Sequence, residues 1–426
     1  MLDVSAGGLG LADWVANACV VLATVGIFAF FSRPAVRGSE AWRATVTPLA
    51  SIIGSGFLIV APLLGFTVGR YAVFAMIGII ALAYAVGGAL RYDIARVEDI
   101  AEGSRADDAL GRTLQWMGRI AKLALAAAYV VAVAFYLELL GAFVMRPFGL
   151  EDGAIQKAIA TALVVFIGGF GLWRGLRVLE GLEIHAVETK LSIIGGLLVG
   201  LVAYNGRLLA SGSWAPPEMD THLGLHTVRE LLGAFLIVQG FETSRYLRGA
   251  YSPERRIRTM RFAQWIAAAI YVAFVALATP LMDVFEEVSE TGIIDLSSRV
   301  ALTLPALLIV GAVMSQFSAA VADTIGSGGL VEEISGGRVA RRVTYAGVAV
   351  LVILLVWSAN IFEVIAYASR AFAFYYAIEC SMAALHAGAR GEGRWRLARA
   401  GLYVALAVAM AITAVFGIPA DSGSGG

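Results

Sequence analysis

The sequence predicts an all-α integral membrane protein of about 12 transmembrane helices, a five-plus-five inverted repeat with discontinuous first and sixth core helices. Three observations predict this fold class. The 426 residues are 59% hydrophobic and 15% charged, with a mean hydropathy of +0.79, far from the soluble average. Twelve segments approach the length of about 20 apolar residues that crosses a bilayer. Two of them, half a chain apart, are interrupted at Gly54-Ser55-Gly56 and at Gln239-Gly240-Phe241.

The loops between the spans predict the orientation of the chain. The predicted spans are 12–31, 47–69, 71–90, 117–145, 154–173, 182–204, 228–249, 262–282, 302–330, 343–358, 361–386 and 397–417. Loops on one side carry 24 of the 32 Lys and Arg residues, and loops on the other side carry 6. Since basic loops stay in the cytoplasm, we expect a multi-pass protein of the plasma (inner) membrane with both termini extracytoplasmic.

Five predicted regions follow from the order of the spans. The first span is read as a retained helix because Asp3 and Asp13 flank it where a signal peptide would carry basic residues. The next ten spans form two sets of five. Since five is odd, the second set enters the membrane from the opposite face, as in an inverted repeat. The regions are 1–46 (extra helix and cytoplasmic linker), 47–204 (core helices 1–5), 205–227 (outer loop), 228–388 (core helices 6–10) and 389–426 (last helix and flexible tail).

Several classes of function are disfavoured. No loop is long enough for a soluble domain. No phosphate-binding glycine loop follows a strand, and Ser, His and Asp show no nucleophile–base arrangement. We therefore expect that the protein is not an enzyme. Cys19 and Cys380 lack metal-ligand spacing, and we expect neither a metal nor a cofactor. The basic loops adjoin span ends, which is typical of topology signals in a lipid bilayer and not of nucleic-acid binding.

Three stretches resemble the amino acid-polyamine-organocation (APC) superfamily. They are Ile52-Ile53-Gly54-Ser55-Gly56-Phe57 with Pro62, the segment from Phe235 to Arg258 with Gly240-Phe241-Glu242 and Ser252-Pro253-Glu254-Arg255, and the segment from Arg174-Gly175 to Lys190. The resemblance implies a leucine-transporter-type fold that carries a solute by alternating access. The extra first helix, and Arg248-Gly249 where the family often has two acids, depart from the pattern.

The two interruptions predict the substrate site. Glycine exposes backbone polar groups, which hydrocarbon cannot satisfy, so such breaks are buried in protein or line a cavity. Free N–H groups at a half-helix amino terminus suit a carboxylate, as the resemblance also implies, although a tight helix crossing would explain the same glycines. Carbonyls at the second break suit an amine, with Phe241 as a lid. The predicted substrate-binding residues are Ile53, Gly54, Ser55, Gly56, Phe57, Tyr136, Gln239, Gly240 and Phe241. Tyr136, like Tyr129, is also explained by core packing.

Lys190 is the main candidate for coupling. It lies about ten residues, or roughly 15 Å, into its helix, where an ionisable group is a functional candidate. The resemblance implies that a lysine at this position occupies the place where other members hold sodium. Asp323 is predicted at similar depth, and we expect a pair that replaces or gates a cation. A static ion pair, or sodium bound by Asp323 with Thr324 and Ser327, are the alternatives.

Three other charged positions have alternative interpretations. Glu242 either satisfies N–H groups of the second break or relays protons. Glu138 and Arg370 fall at comparable depth and form either an external gate or a static pair. Glu188 is predicted beside an inner vestibule, and His185 is either a proton carrier or a polar residue at a helix start.

Together these features predict a secondary active transporter for an amino acid or a related amine. Because of Lys190, coupling to protons or exchange is favoured over sodium. The alternatives are an inorganic-cation carrier or a channel of the same fold. Neither interruption offers an Asp-Pro-Gly sequence or a methionine ligand for a metal. A receptor would ordinarily need a signalling domain.

Overall fold

The computed structural model describes residues 10–103, 108–150, 152–176, 182–216, 224–284 and 289–419, and all regular structure in these ranges is helical. The α-helices are α1 (Leu11–Phe31), α2 (Pro34–Arg37), α3 (Glu40–Ile52), α4 (Gly56–Val68), α5 (Ala72–Arg96), α6 (Glu98–Ala101), α7 (Ala109–Met145), α8 (Gly153–Arg174), α9 (Leu182–Ser211), α10 (Leu225–Gly233), α11 (Pro253–Ala278), α12 (Gly292–Val300), α13 (Leu304–Ile334), α14 (Arg341–Ser358), α15 (Ile361–Arg390) and α16 (Arg396–Phe416). Short 3-10 segments are Gly69–Tyr71, Arg146–Phe148, Phe235–Val238, Phe241–Gly249 and Thr279–Val284.

The predicted class, an all-α membrane protein, is confirmed. Within the described ranges, 10 helical stretches are long and apolar enough to cross a membrane. One of them, Glu40–Arg96, contains α3, α4 and α5 in succession, and the segment made of α10 and the two 3-10 pieces that follow it is not among the ten. The count of twelve spans and the repeat layout stay predictions. The predicted flexible tail at 422–426 and Pro217 of the outer loop lie outside the described residues.

Short polar side chains set several helix starts. Asn360 and Glu363 form a reciprocal capping box at the start of α15. Ser252 caps α11, and Pro253 occupies its first turn, where a missing N–H costs nothing. Asp152 accepts bonds from two amide groups of α8. Caps of this kind contribute about 1 kcal/mol each, so the boundaries of these helices follow from the local sequence.

Asp108 begins α7 and connects it to the end of α15. Its carboxylate accepts from the Gly111 N–H at 2.8 Å and from Arg390 at 2.5 Å. The bond from the Gly111 N–H has the larger effect, and together the two bonds lower the pKa of Asp108. A lowered pKa means that this cap stabilises the fold at neutral pH and loses its effect as the pH falls through the lowered value.

The long helices pack into two main groups. One contains α3, α5 and α11, and the other contains α7, α8, α13 and α14. α15 lies against α7, α5 and α16, while α9 packs on α13. The 3-10 segment Phe241–Gly249 packs on α3 and α11. A cavity described below opens where these groups meet.

The extra amino-terminal helix α1 packs along α9 in a groove lined by glycine. A side chain at Gly200 would place its Cβ 2.9 Å from Val20, and one at Gly196 would come 3.1 Å from the Val20 carbonyl. Farther along, Asn17 accepts a bond of 3.0 Å from the Thr303 N–H. Because small residues let helices approach closely in a membrane, α1 is docked on the helix that carries Lys190.

Candidate functional site

The first interruption separates α3 from α4. α3 ends at Ile52, and α4 begins at Gly56 after three intervening residues. Ile53 and Phe57 are both buried, and the Phe57 ring packs on Phe274 with ring centroids 4.5 Å apart. A Cβ on Gly56 would lie 2.5 Å from the Ile237 Cα, so only glycine permits this contact between the two interruptions.

The second interruption lies between two 3-10 segments, Phe235–Val238 and Phe241–Gly249. Gly240 has a φ of 116°, a region that residues other than glycine rarely adopt. A Cβ at this position would also lie 2.5 Å from the carbonyl carbon of Ser51 at the end of α3. The predicted sixth core helix is therefore discontinuous, and its break contacts the break in the first.

One buried tyrosine bridges the two interruptions. The Tyr271 hydroxyl oxygen lies 3.0 Å from the Ile52 carbonyl oxygen and 2.7 Å from the Ile237 carbonyl oxygen, and its one hydrogen is shared between these two acceptors. Carbonyl groups at the end of a helix lack a partner within that helix, and a buried carbonyl without a donor is costly. Tyr271 thus satisfies both broken ends with a single donor.

We expect Tyr271→Phe to lower the free energy of unfolding by about 1–2 kcal/mol, since both carbonyls lose their buried donor. Thermal unfolding of the purified protein in detergent measures the effect. Tyr367→Phe is the matched control because Tyr367 is exposed on α15. Equal unfolding temperatures for the two variants would contradict the bridging role.

Glu242 turns back onto its own interruption. Its Oε2 accepts from the Gly240 N–H at 2.9 Å and from the Tyr376 hydroxyl at 2.5 Å, and its side chain is buried. Phe241 stacks on the ring of Tyr376, with centroids 5.0 Å apart. Of the two interpretations of Glu242, these contacts favour the satisfaction of exposed N–H groups.

We expect Glu242→Gln to fold like the unaltered protein, because an amide oxygen accepts the Gly240 N–H as well. Glu242→Leu should lose about 1–3 kcal/mol, since that N–H would stay buried without an acceptor. Thermal unfolding compares the two variants. A Glu242→Gln protein with normal stability whose solute uptake no longer responds to pH would instead support the proton relay.

A cavity of about 330 Å³ lies beside the first interruption. Parts of α3, α7, α9, α13 and the segment Phe241–Gly249 surround it. Its lining residues are Thr47, Ala50, Ser51, Gly54, Tyr129, Tyr136, Ala186, Val187, Lys190, Thr243, Leu247, Ser315, Ser318, Ala319, Val321, Ala322, Asp323, Ile325 and Gly326. The cavity thus combines a lysine, a carboxylate and several hydroxyl groups.

Some of the predicted binding residues line this cavity and others do not. Gly54 and Tyr136 are in its wall, together with Tyr129. The lining of this cavity, as the structure describes it, does not include Ile53, Ser55, Gly56, Phe57, Gln239, Gly240 or Phe241. The contacts of Gly56 fit the tight helix crossing that the sequence left open. Binding of a carboxylate by the backbone of this turn stays a prediction.

Lys190 reaches the end of the first half-helix. Its ammonium donates to the Ala50 carbonyl at 2.8 Å, in the last turn of α3. The carboxyl end of a helix carries partial negative charge, which a cation stabilises. Asp323 lines the same cavity from α13. A direct Lys190–Asp323 pair stays a prediction, whereas the contact with α3 is a feature that the sequence did not reveal.

The hydroxyl groups proposed as sodium ligands have other partners. Thr324 donates to the Ala320 carbonyl at 2.7 Å, and Ser327 donates to the Ala126 carbonyl at 3.3 Å. Both side chains are buried. The Thr324 hydroxyl thus bonds within α13, and the Ser327 hydroxyl bonds to α7. These contacts give no direct support to the interpretation that the two hydroxyl groups bind sodium.

The predicted external gate likewise receives no support. Glu138 is buried, and its backbone carbonyl accepts a 3.2 Å bond from Gln156. Arg370 is exposed and donates to the Ala414 carbonyl of α16 at 2.8 Å. The depth of a residue in a span does not determine which way its side chain points. A gate formed by Glu138 and Arg370 stays a prediction.

Glu188 has a partner that the sequence analysis missed. Its carboxylate is buried on α9 and forms a two-bond ion pair with Arg37, in the linker that precedes α3. Its neighbours Ala186 and Val187 line the cavity, as expected for a residue beside a vestibule. His185, the alternative proton carrier on this helix, is exposed.

Comparison with known proteins supplies three findings. A family model described as APC superfamily transporter matches residues 34–417. An uncharacterized protein of Aquifex aeolicus (strain VF5) is 46% identical over 356 residues, covering 83% of this chain and 86% of that protein. Two crystal structures of mutant forms of a manganese transporter from Eremococcus coleocola align with a TM-score of 0.57, at 13% and 12% identity, over 89% of this chain and 88% of theirs.

Proposed function

Because the chain belongs to the APC superfamily of transporters, we propose that it is a secondary active transporter that moves an amino acid or a related amine across the plasma membrane by alternating access. Coupling is to protons, or transport is by exchange. The family and the fold support a role other than catalysis. The basic loops orient the carrier with both termini outside the cytoplasm.

The contact between Lys190 and the Ala50 carbonyl carries the proposal about coupling. It provides a tethered cation at the negative end of the first half-helix. A free sodium ion at this end would be repelled by the ammonium, since like charges a few ångströms apart destabilise each other. A carrier with a lysine here has less use for sodium, and a proton is the simplest coupling ion that remains.

The composition of the cavity supports an amino acid or an amine as the solute. Lys190 and Asp323 provide one positive and one negative side chain, while Ser51, Thr243 and Ser315 provide hydroxyl groups. A zwitterion presents both charges and hydrogen-bonding groups in one small molecule. Backbone groups of the interruptions, of which Gly54 lines the cavity, are the proposed partners for the ammonium and carboxylate groups of the solute.

A manganese ion is the second candidate, because structures of a manganese transporter share the fold. At 12–13% identity these structures inform on the fold alone. In the described part of the chain, no three His, Cys, Asp or Glu residues are grouped so that they could hold a metal ion. Asp323 is the one carboxylate in the cavity lining, and the lysine there disfavours a divalent ion.

Uptake into proteoliposomes tests the proposal. The panel contains amino acids, amines and Mn²⁺, with a proton gradient and a sodium gradient imposed separately. We expect saturable uptake of an amino acid or amine that a proton gradient accelerates or that a solute inside the vesicle exchanges. Accumulation driven by sodium would overturn the proposed coupling to protons or exchange. Uptake of Mn²⁺ alone would overturn the proposal that the solute is an amino acid or an amine.

A further inference from the structure

A second buried group of charges lies outside the main cavity. It consists of Asp93 on α5, Glu379 on α15 and Arg245 in the segment Phe241–Gly249. Arg245 donates to the Glu379 Oε1, and the exposed fractions of these two side chains are 11% and 1%. Asp93 is completely buried. We call these three residues the inner carboxyl cluster.

The inner carboxyl cluster adjoins a cavity of its own, with a volume of about 190 Å³. Arg245 and Glu379 are in its wall. The other lining residues are Glu102, Gly118, Lys122, Leu125, Arg248, Glu333 and Tyr375. Lys122 of α7 and Glu333 near the end of α13 thus lie in this wall, and their side chains pair at 2.6 Å. A polar cavity of this size holds water, which can bring protons to Glu379.

Three carboxylate oxygens of the cluster lack a hydrogen-bond donor. Both oxygens of Asp93 and the Oε2 of Glu379 are buried without a partner among the described residues. At the same time the carboxyl groups of Asp93 and Glu379 interact with each other where α5 packs on α15. Two ionised carboxylates accept but cannot donate. One added proton converts this repulsive contact into a strong O–H···O⁻ bond.

The balance of charges around Asp93 also calls for one added proton. Three titratable groups face Asp93 from the helices packed against it, namely Glu379, Cys380 and Tyr403. Arg245 and Glu98 face it from the adjoining segments, and Tyr92 is its neighbour on the same helix. Glu98 is already neutralised by the buried Arg256, at 2.6 Å and 3.0 Å. Two carboxylates therefore share the single guanidinium of Arg245. Burying an unpaired charge is expensive, and one proton makes the cluster neutral.

We propose that Asp93 and Glu379 share one proton, and that they form a buried protonation site separate from the main cavity and reached through the second cavity. Arg245 connects this site to the segment that follows the second interruption. Loss of the proton adds a negative charge that strengthens the hold on Arg245, and binding of the proton weakens it. The site is therefore positioned to make the mobility of this segment depend on protonation. It does not depend on which solute the main cavity takes.

Infrared difference spectroscopy of the purified full-length protein at neutral pH tests the proposal. Asp93→Asn and Glu379→Gln should each lose the C=O stretching band of a protonated carboxylic acid, a band that shifts in D₂O. In either variant Arg245 has a single carboxylate of the cluster left to neutralise, and the new amide can donate to that carboxylate, so we expect it to stay ionised. Both variants keep the size and hydrogen-bonding capacity of the site, which favours folding, and size-exclusion chromatography checks it.

Asp295→Asn is the matched control, because Asp295 is half-exposed and paired with Arg146. It should lose bands of an ionised carboxylate only. The same result for both Asp93→Asn and Glu379→Gln would overturn the shared proton. So would a sodium-dependent change in the carboxylate bands of the unaltered protein that both variants abolish, since a sodium ion would then occupy the site. Should one variant fail to fold, the other carries the test.

Discussion

Replacing Gly240 with alanine is expected to abolish the stable packing of the two interruptions. Its φ of 116° costs about 1–3 kcal/mol for a residue with a side chain. The added Cβ would also lie 2.5 Å from the Ser51 carbonyl carbon and 2.7 Å from the Ile52 nitrogen, both backbone atoms. Overpacking adds about 1–3 kcal/mol. A total of about 2–6 kcal/mol is a large part of the stability of most proteins.

The yield of folded protein and its unfolding temperature in detergent measure this effect. Gly249→Ala is the matched control at the end of the 3-10 segment that follows Gly240, because no atom lies within 4 Å of its added Cβ. This variant should remain within about 0.5 kcal/mol of the unaltered protein. A Gly240→Ala protein that unfolds at the same temperature as Gly249→Ala would show that the interruptions do not need this glycine.

Lys190→Met is expected to reduce uptake by about 10–100-fold and to remove its response to a proton gradient. Methionine retains most of the side-chain volume and removes the charge. The lost bond from an ammonium to the Ala50 carbonyl corresponds to about 1.5–3 kcal/mol, and each 1.4 kcal/mol is roughly a factor of ten in rate. Initial rates of uptake into proteoliposomes, with and without the gradient, measure the change.

Lys157→Met provides the control. The Lys157 ammonium also donates to a carbonyl at the end of a helix, that of Ala359 at 3.0 Å, but Lys157 does not line the main cavity as described. Uptake by this variant should stay close to that of the unaltered protein. If Lys190→Met retained both its uptake and its pH response, Lys190 would have a structural role only, and the proposed coupling would be wrong.

The sequence was sufficient to predict the class of the protein and the location of both interruptions. The long apolar runs define membrane helices because a bilayer leaves few other conformations. Gly54, Gly56 and Gly240 predict breaks because glycine is unfavourable within a helix. The resemblance to the APC superfamily is confirmed. The 3-10 conformation of Phe235–Val238 and Phe241–Gly249 was not predictable, since it depends on packing against other helices, which for Phe241–Gly249 are α3 and α11.

Side-chain partners were harder to predict than positions. Counting along a helix gives the depth of Lys190 or Arg370 but not the direction in which each side chain points. Thus Lys190 contacts the backbone of α3, which no charge pattern predicts, and Arg370 contacts α16. The phenol of Tyr271 gave no signal in the sequence, because aromatic residues in spans are usually part of the core.

Asp93 and Glu379 were missed for a different reason. The third predicted span ends at residue 90, which places Asp93 in a loop, whereas α5 continues to Arg96 and buries Asp93. Glu379 is the one charged residue between Arg370 and Arg390 of α15, and that isolation was the available signal. An isolated ionisable group in an apolar run is a functional candidate, and a buried partner is expected for it.

The bridge made by Tyr271 limits how the carrier can change shape. One phenol holds the ends of two chain segments that come from opposite halves of the sequence. If either segment moved outward alone, it would leave a buried carbonyl without a hydrogen-bond donor in an apolar interior. In the proposed alternating-access cycle, opening to the other compartment is therefore expected to be easiest when both segments move as one rigid block with α11 against the remaining helices.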